Sequence, residues 1–279
     1  MRGYLRTLAE TGVVEKHQGS FPGAVGYELT TAGRELVEVS ELLGAWLRCS
    51  PRGSIELGSV EAKRAIKALV DGWSTSMVRA LASRPLSLTE LNSVITSLSY
   101  PSLERRLSAM RMLGLVEAAG ERGRGRPYGA GDWLRRAVGP ITTAARWEAR
   151  HWPKDAVPTT NRDIESAFLL GLPLLHLPTD ATGFCRLAVQ MRKRDVTRLA
   201  GVIVEVREGT VVSCIARLKG RAHGWAVGSI GAWFAAILDG ERRGLEFGGE
   251  QQLAVGLTEG LQDALAAEVE RHLVAPNSV

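Results

Sequence analysis

The stretch 84–128 constrains the fold most, because its pattern predicts two short helices followed by a hairpin. Leu91, Val94 and Ile95 are spaced to share one face of the first helix. Ser87 and Glu90 form the Ser-x-x-Glu pattern that caps a helix start. We therefore expect a short helix that begins directly after Ser87.

A second helix is expected directly after the first. Ser99 can cap its start, and Pro101 is tolerated in a first turn but not further along. Leu103, Leu107 and Met110 follow at the spacing of one apolar stripe. The candidates for contact with DNA lie at the start of this helix and away from the stripe: Ser99, Tyr100, Ser102, Arg105 and Arg106.

The segment after this helix predicts a hairpin with a basic tip. Gly114 is a typical helix stop, and residues 115–117 have a short strand pattern. Between residues 121 and 126 arginine alternates with glycine, which suits a tip that approaches a groove or phosphates. The further candidates for DNA contact are Arg122, Arg124 and Arg126. The alternative is a solvated, arginine-rich surface loop.

The positive charge of the chain lies in its first half. Residues 1–155 carry 22 Lys and Arg against 16 Asp and Glu, whereas residues 156–279 carry 13 against 14. Lys and Arg bind DNA by neutralising backbone phosphates. Together with the hairpin pattern, this distribution predicts double-stranded DNA as a partner of the first half.

An internal repeat is predicted at the start of the chain. Residues 1–15 repeat the pattern of residues 103–117, with Gly12 in the place of Gly114. The first helices of the unit are absent from this copy. The sequence leaves open whether translation begins inside an old recognition helix or upstream of Met1.

Each copy continues into a longer helix. We expect Thr31 to cap the first, which carries Trp46, and Asp132 to cap the second, which carries Trp147. Stretches with proline or glycine and little periodicity follow both helices and indicate linkers. These boundaries divide the chain into a partial first unit (1–50), a complete second unit (59–152) and a C-terminal domain (161–279).

Residues 67–150 resemble the winged helix-turn-helix of the HxlR-type bacterial transcriptional regulators. The matching residues are Trp73 before the first short helix, Arg84 and Pro85 at the turn, and Gly114, Leu115 and Val116 after the second helix. The resemblance implies major-groove reading by residues 99–113 and a wing at 119–128. In that family the helix after the wing pairs across a dimer, so it implies a homodimer or an intrachain pseudo-dimer. A plain core helix is the alternative.

The C-terminal part has the pattern of a mixed helix and sheet domain, so the fold class expected for the whole chain is α+β. An apolar helix at 163–176 should be ended or kinked by Pro173. Alternating apolar residues predict strands at 183–192, 199–206 and 211–218. A helix after Ser229 and a final helix follow.

Most of residues 180–270 resembles the sterol-carrier-protein-like fold, a small curved sheet covered by helices around an apolar cavity. The resemblance rests on the succession of Val211 to Ser213, Trp225, Ser229, Ala232, Trp233, Gly240, Leu245 and Gly248. It implies a hydrophobic or amphipathic small-molecule ligand. The candidate ligand-binding residues are Cys185, Leu187, Val189, Met191, Trp225, Trp233 and Phe234. The alternative is that they are ordinary core residues.

The sequence argues against several kinds of site. Cys49, Cys185 and Cys214 are too few and too scattered for a disulfide framework or a zinc site. Cys185 and Cys214 could nevertheless face each other across neighbouring strands, or be buried small hydrophobic residues. No nucleophile has a recognisable base nearby, so we predict a non-enzyme without cofactor or metal. With no membrane-length apolar run and no signal peptide, a cytoplasmic location is expected.

Two functions are open at this point. The first is a transcriptional regulator whose C-terminal domain binds a hydrophobic small molecule that changes its affinity for DNA. The second is a ligand-sequestering or self-resistance protein that has lost specific DNA binding.

Overall fold

A computed structural model describes residues 2–18, 25–70, 74–119, 125–151, 161–193 and 196–274. The helices are α1 (Arg2–Glu10), α2 (Thr31–Arg48), α3 (Val60–Val70), α4 (Ser74–Ser83), α5 (Leu88–Val94), α6 (Tyr100–Leu113), α7 (Asp132–Arg136), α8 (Val138–His151), α9 (Asn161–Gly171), α10 (Ile230–Leu238) and α11 (Gln251–Val274). The strands are β1 (Val14–Gln18), β2 (Val25–Leu29), β3 (Val116–Ala118), β4 (Tyr128–Ala130), β5 (Gly183–Lys193), β6 (Val196–Arg207), β7 (Thr210–Ile215), β8 (Gly224–Ser229) and β9 (Leu245–Gly249). The predicted α+β class is confirmed. None of the described helices is both long and apolar enough to cross a bilayer.

The two copies of the repeat have the same backbone conformation where α1 and α6 end. Gly12 and Gly114 both have a left-handed backbone conformation, with φ angles of 73° and 83°. The amide after each glycine donates to a carbonyl oxygen of the last helical turn, at 2.8 Å in the first copy and 2.9 Å in the second. Glycine adopts this conformation without strain, which is why both helices stop where the sequence predicts.

The hairpins after these glycines also share their register. In the first hairpin β1 pairs with β2 so that Lys16 lies opposite Tyr27. In the second, β3 pairs with β4 so that Ala118 lies opposite the equivalent residue Tyr128. Leu86 extends the second hairpin through two backbone hydrogen bonds with Tyr128, each 2.8 Å long. The repeat seen in the sequence is therefore also a structural repeat.

The helices that follow the hairpins are capped one residue earlier than predicted. Thr30 has an extended backbone, and its hydroxyl accepts a hydrogen bond from the Gly33 N–H at 3.0 Å. Gly131 is the N-cap of α7, and Asp132 lies in the first turn. The single helix predicted from Asp132 through Trp147 is divided at Ala137, so Trp147 lies on α8. The prediction of Thr31 and Asp132 as caps was wrong, because an N-cap residue is extended and these two are already helical.

The C-terminal half is built on a five-stranded sheet in the order β7-β6-β5-β8-β9. β5 and β8 are parallel, and the other neighbouring pairs are antiparallel. The third predicted strand ends at Ile215 and not at residue 218. α9 ends at Gly171, just before a short 3₁₀ turn that contains Pro173. The proline therefore ends the helix, as predicted, because it has no N–H to continue it.

One hydrophobic core runs through the second repeat and the sheet. α9 lies at the join, in contact with α4 and α8 on one side and with β6 on the other. Its residue Phe168 is fully buried. A smaller cluster that includes Val13, Val39 and Trp147 joins the first copy to α8. The C-terminal half therefore shares its core with the repeats.

Cys185 and Cys214 do not lie on neighbouring strands. Cys185 of β5 pairs with Val204 of β6, and Val204 in turn pairs with Cys214 of β7. Since neighbouring strands are about 4.8 Å apart, the two cysteines are separated by about 10 Å, which is too far for a disulfide. Burial raises the pKa of both thiols to about 12. The sequence-based idea of a pair across neighbouring strands is therefore wrong.

Candidate functional site

The start of α5 is fixed by a reciprocal cap. The Ser87 hydroxyl accepts a hydrogen bond from the Glu90 N–H at 3.3 Å, and the Glu90 carboxylate accepts one from the Ser87 N–H at 2.8 Å. Arg84 donates to the same carboxylate at 3.2 Å. The hydrogen bonds from Ser87, the backbone one first, lower the pKa of Glu90, and Arg84 adds to this. The predicted capping box is confirmed. Leu91 and Ile95 are buried as predicted, but Val94 is 57% exposed, so its assignment to the same face was wrong.

α6 has one buried and one exposed face, as the sequence predicts. Leu103, Leu107 and Met110 are buried. Tyr100, in the first turn and beside this stripe, is 45% exposed, and Arg105 is exposed on the side opposite the stripe. These two predicted DNA-contacting residues are therefore accessible to a large partner.

The other candidates on α6 are less exposed or point along the helix. Ser99 is the N-cap by its backbone conformation, while its hydroxyl donates to the Ser102 hydroxyl at 3.1 Å. Ser102 and Arg106 are half-buried. We therefore expect Tyr100 and Arg105 to make the direct contacts of this helix.

Of the three arginines predicted for the hairpin beside α6, the structure describes Arg126. Arg122 and Arg124 lie outside the described residues. Arg126 is half-buried, and its guanidinium donates to the Ala118 carbonyl oxygen at 3.4 Å. Arg126 therefore ties the two strands of the hairpin together in addition to adding positive charge.

A cleft of about 350 Å³ separates α6 from this hairpin. Its lining includes Tyr100, Glu104 and Arg111 from the helix, and Arg126 and Tyr128 from the hairpin. The Arg111 guanidinium lies 6.0 Å from the centroid of the Tyr128 ring and donates to its hydroxyl at 3.3 Å. The sequence analysis missed Arg111, although a basic residue just before a helix-ending glycine was a usable signal. Helix and hairpin thus place two arginines and the carboxylate of Glu104 at one cleft, and the net positive charge of these three groups suits phosphate oxygens.

The hairpin of the first copy has a different charge pattern. His17 Nε2 lies 3.5 Å from a Glu15 oxygen and 3.6 Å from a Glu28 oxygen. Within the described part of the chain, these three residues form the group whose ligand atoms could reach one metal ion, and all three are exposed. Exposed groups of this kind are common without an ion, so we assign no metal site to them. The two carboxylates make this hairpin unfavourable for phosphate.

The two copies of the repeat pack together through equivalent tryptophans. Trp46 of α2 donates its indole N–H to the Trp133 carbonyl oxygen at 2.8 Å. Trp147 of α8 donates to the Ala32 carbonyl oxygen at 2.7 Å. Trp46 and Trp147 are equivalent in the repeat, and so are Ala32 and Trp133. Such a reciprocal exchange is typical of a two-fold contact between identical subunits, and here it lies within one chain.

Most of the residues predicted to line an apolar cavity belong to the buried core. The candidates on β5 with described side chains are all fully buried: Cys185, Leu187 and Val189. Trp233 packs edge-on against Phe168, with ring centroids 4.7 Å apart, and donates to the Ala188 carbonyl oxygen at 2.8 Å. The ring of Phe168 occupies space that the predicted cavity would need. The geometry favours the alternative, an ordinary core.

The remaining ligand candidates are divided between the two faces of the sheet. Phe234 is buried with Trp233. Trp225 is 37% exposed, lies on the opposite face because residues alternate along β8, and packs over Gly248. The side chain of Met191 lies outside the described residues. The structure therefore does not bring Trp225 together with the other candidates.

Two larger clefts lie away from the predicted cavity. One, of about 620 Å³, lies between the segment before β5 and the start of α11. The other, of about 510 Å³, lies between α2 and α8 on one side and α10 and α11 on the other. Its lining includes Glu38, Glu41 and Arg146, which the sequence analysis did not select. The i, i+3 spacing of the two glutamates beside the apolar stripe of α2 was the available signal.

Comparison with known proteins does not add to these observations. No protein-family model matches the chain, and no curated protein or solved structure matches it either. Function is therefore inferred from the residues and their geometry.

Proposed function

We propose that the chain is a DNA-binding transcriptional regulator of the HxlR winged-helix type, in which the second repeat reads DNA. α6 lies in the major groove with Tyr100 and Arg105 toward the base edges. The hairpin acts as the wing and contacts neighbouring phosphates. The observation that carries this proposal is the exposed face of α6 beside a cleft that also receives Arg111 and Arg126.

The charge distribution supports DNA as the partner. The basic excess lies in residues 1–155, and the C-terminal residues 156–279 are close to neutral. A phosphate backbone attracts such a basic region through counterion release. The region that contains α6 and its hairpin is therefore the one expected to bind.

The tryptophan exchange supports an intrachain pseudo-dimer. In a two-fold dimer each subunit offers the same surface to the other, and Trp46 and Trp147 do so here from α2 and α8. The first hairpin carries Glu15 and Glu28 close to His17, so we expect it to avoid phosphates. One chain therefore contacts DNA mainly through its second repeat.

The C-terminal half is proposed to bind a hydrophobic or amphipathic effector. It is joined to the repeats by the shared core and by Glu165, which accepts a hydrogen bond from the Gly201 N–H at 2.8 Å and pairs with Arg79 of α4. A ligand changes DNA affinity only if it binds the DNA-competent arrangement differently, typically by about 1–3 kcal/mol. Resemblance to sterol-carrier-like domains supports an apolar ligand class. Because the candidates under the sheet are buried core residues, we place this ligand in one of the two larger clefts.

A second candidate is a ligand-sequestering or self-resistance protein without specific DNA binding. The carboxylates Glu15 and Glu28 favour it, because they make one of the two hairpins unsuited to DNA. In that case the C-terminal half binds its ligand, and the chain has no specific DNA site.

Fluorescence anisotropy with labelled duplexes from the region flanking its own gene separates the two candidates. A regulator should bind one fragment at least about 10³-fold more tightly than a random duplex. Hydrophobic metabolites should then shift that affinity. Equal affinity for every fragment at physiological salt would contradict regulation and favour the second candidate.

A further inference from the structure

The cleft between α2, α8, α10 and α11 lies where three parts of the chain meet. α2 belongs to the first copy of the repeat, α8 to the second, and α10 and α11 to the C-terminal half. Its volume of about 510 Å³ is in the range of small-molecule pockets. An occupant would touch all three parts at once.

Much of the lining is apolar. Leu238 of α10 and Ala266 of α11 supply accessible apolar surface in the cleft. Leu42, Ile237 and Leu265 lie at its base and are at most 4% exposed. Removing a hydrocarbon group from water against such a surface is favourable.

Among the side chains that the structure describes, Arg146 and Arg150 beside the cleft already have partners. Arg146 donates to one oxygen of Asp239 at 2.6 Å, and Arg150 lies 3.6 Å from the other. Arg150 also lies 3.9 Å from Glu35, which His151 approaches to 2.8 Å. The charges of these two arginines are thus balanced by two carboxylates.

Glu38 and Glu41 leave a net negative charge at the cleft. They are three residues apart on α2 and therefore lie on the same side of the helix. Both are exposed, and neither has an ion-pair partner among the residues that the structure describes. Carboxylates at the mouth of an apolar cleft attract a cation and repel an anion.

We propose that this cleft binds an apolar amine, meaning an aliphatic or aromatic molecule with one protonated amino group. The ammonium group pairs with Glu38 and Glu41, and the hydrocarbon part packs on Leu238 and Ala266 above the buried side chains at the base of the cleft. Apolar acids of the same size are disfavoured by the same carboxylates. Only the role of this occupant as the effector rests on the proposed function, because binding itself does not require DNA.

Calorimetric titration of the full-length chain without DNA tests the binding. The probes are octylammonium, 1-octanol and octanoate, which share a hydrocarbon chain and differ in charge. We expect octylammonium to bind about ten-fold more tightly than 1-octanol, and octanoate to bind most weakly. High salt should reduce the preference for the amine, because exposed charges are screened.

Variants assign the preference to the cleft. The double variant Glu38→Gln/Glu41→Gln should bind octylammonium no more tightly than 1-octanol. Glu61→Gln, which removes an exposed carboxylate of α3 outside the cleft, should retain the preference. Ala266→Trp should fill the cleft and weaken all three probes. Absence of binding, equal binding of octanoate, or an unchanged amine preference in the double variant would overturn the proposal.

The same probe separates the cleft from the regulatory function. If the occupant is the effector, octylammonium changes the affinity of the wild-type chain for DNA and leaves the double variant unaffected. Glutamate-dependent binding with unchanged DNA affinity would refute the effector role and leave the binding site standing. A chain that binds no DNA specifically would refute the regulator, whatever the calorimetry shows.

Discussion

Trp46 and Trp133 stack with their ring centroids 4.4 Å apart, and each donates its indole N–H to the carbonyl oxygen of the other at 2.8 Å. Both side chains are buried. Trp46→Phe keeps an aromatic ring but leaves the Trp133 carbonyl oxygen without its donor, which costs about 1–3 kcal/mol. Urea unfolding at neutral pH measures this loss.

A double-mutant cycle shows whether the two tryptophans act together. Trp46→Phe and Trp133→Phe should show a coupling of about 0.5–3 kcal/mol, as is usual for residues in contact. Trp46→Phe combined with Trp225→Phe, at a half-exposed position on the sheet, is the matched control pair, and its two effects on stability should add. Strict additivity of the two changes would mean that the stacked pair does not hold the copies together.

Glu165 is expected to be the most sensitive polar residue of the link between α4 and the sheet. It is 5% exposed, pairs with Arg79 and accepts the Gly201 N–H. Glu165→Ala leaves the half-buried Arg79 guanidinium without its partner and the Gly201 N–H without its acceptor, and should destabilise the chain by about 1–3 kcal/mol. Glu259→Ala, which breaks the more exposed pair with Arg242, should cost less than about 1 kcal/mol. Similar losses for the two variants in chemical unfolding would contradict a buried link.

The cysteines should differ sharply in reactivity. The thiolate is the reactive form, and burial raises the pKa of Cys185 and Cys214 to about 12. Cys49 is exposed. Mass spectrometry after brief iodoacetamide treatment at neutral pH should find label on Cys49 alone. The folded Cys49→Ser variant should take up no label. Label on either sheet cysteine of the native chain would show that the sheet opens.

Local signals in the sequence predicted local structure well. The cap formed by Ser87 and Glu90, the stop at Gly114 and the helix end before Pro173 depend on contacts within a few residues. Side-chain and backbone chemistry decides such features without the rest of the fold. The caps at Thr30 and Gly131 were missed by one residue, which is the usual uncertainty of a helix boundary.

Contacts between distant segments could not be predicted. The hydrogen bond from Trp147 to the Ala32 carbonyl oxygen joins the two copies of the repeat. The Phe168 ring packs against Trp233, which lies 65 residues later in the chain. The alternation of apolar residues predicted which face of each strand is buried, but not which segment packs against that face. The cleft bounded by Glu38 and Glu41 was missed for the same reason, because four helices far apart in sequence form it.

Arg105 should contribute to the choice of DNA sequence. It is exposed on α6, and an arginine that contacts a guanine contributes about 1–3 kcal/mol of discrimination. Arg105→Ala should therefore flatten the preference among single-base variants of the best fragment, measured by competition anisotropy. Arg217→Ala, an exposed arginine of the C-terminal half, should leave the preference intact. If Arg105→Ala lowers the affinity for all DNA sequences equally, Arg105 contacts phosphates and not bases.

The salt dependence of DNA binding tests the central claim most directly. Each phosphate contact adds about 0.9 to the slope of log affinity against log salt, so Arg122→Ala/Arg124→Ala should reduce the magnitude of the slope by roughly 2. Arg126 is left in place because it also holds the Ala118 carbonyl oxygen. Arg217→Ala/Arg221→Ala removes the same charge from the C-terminal half and should leave the slope unchanged. An equal slope in a folded Arg122→Ala/Arg124→Ala variant, or no binding to duplex DNA at low salt, would contradict the account.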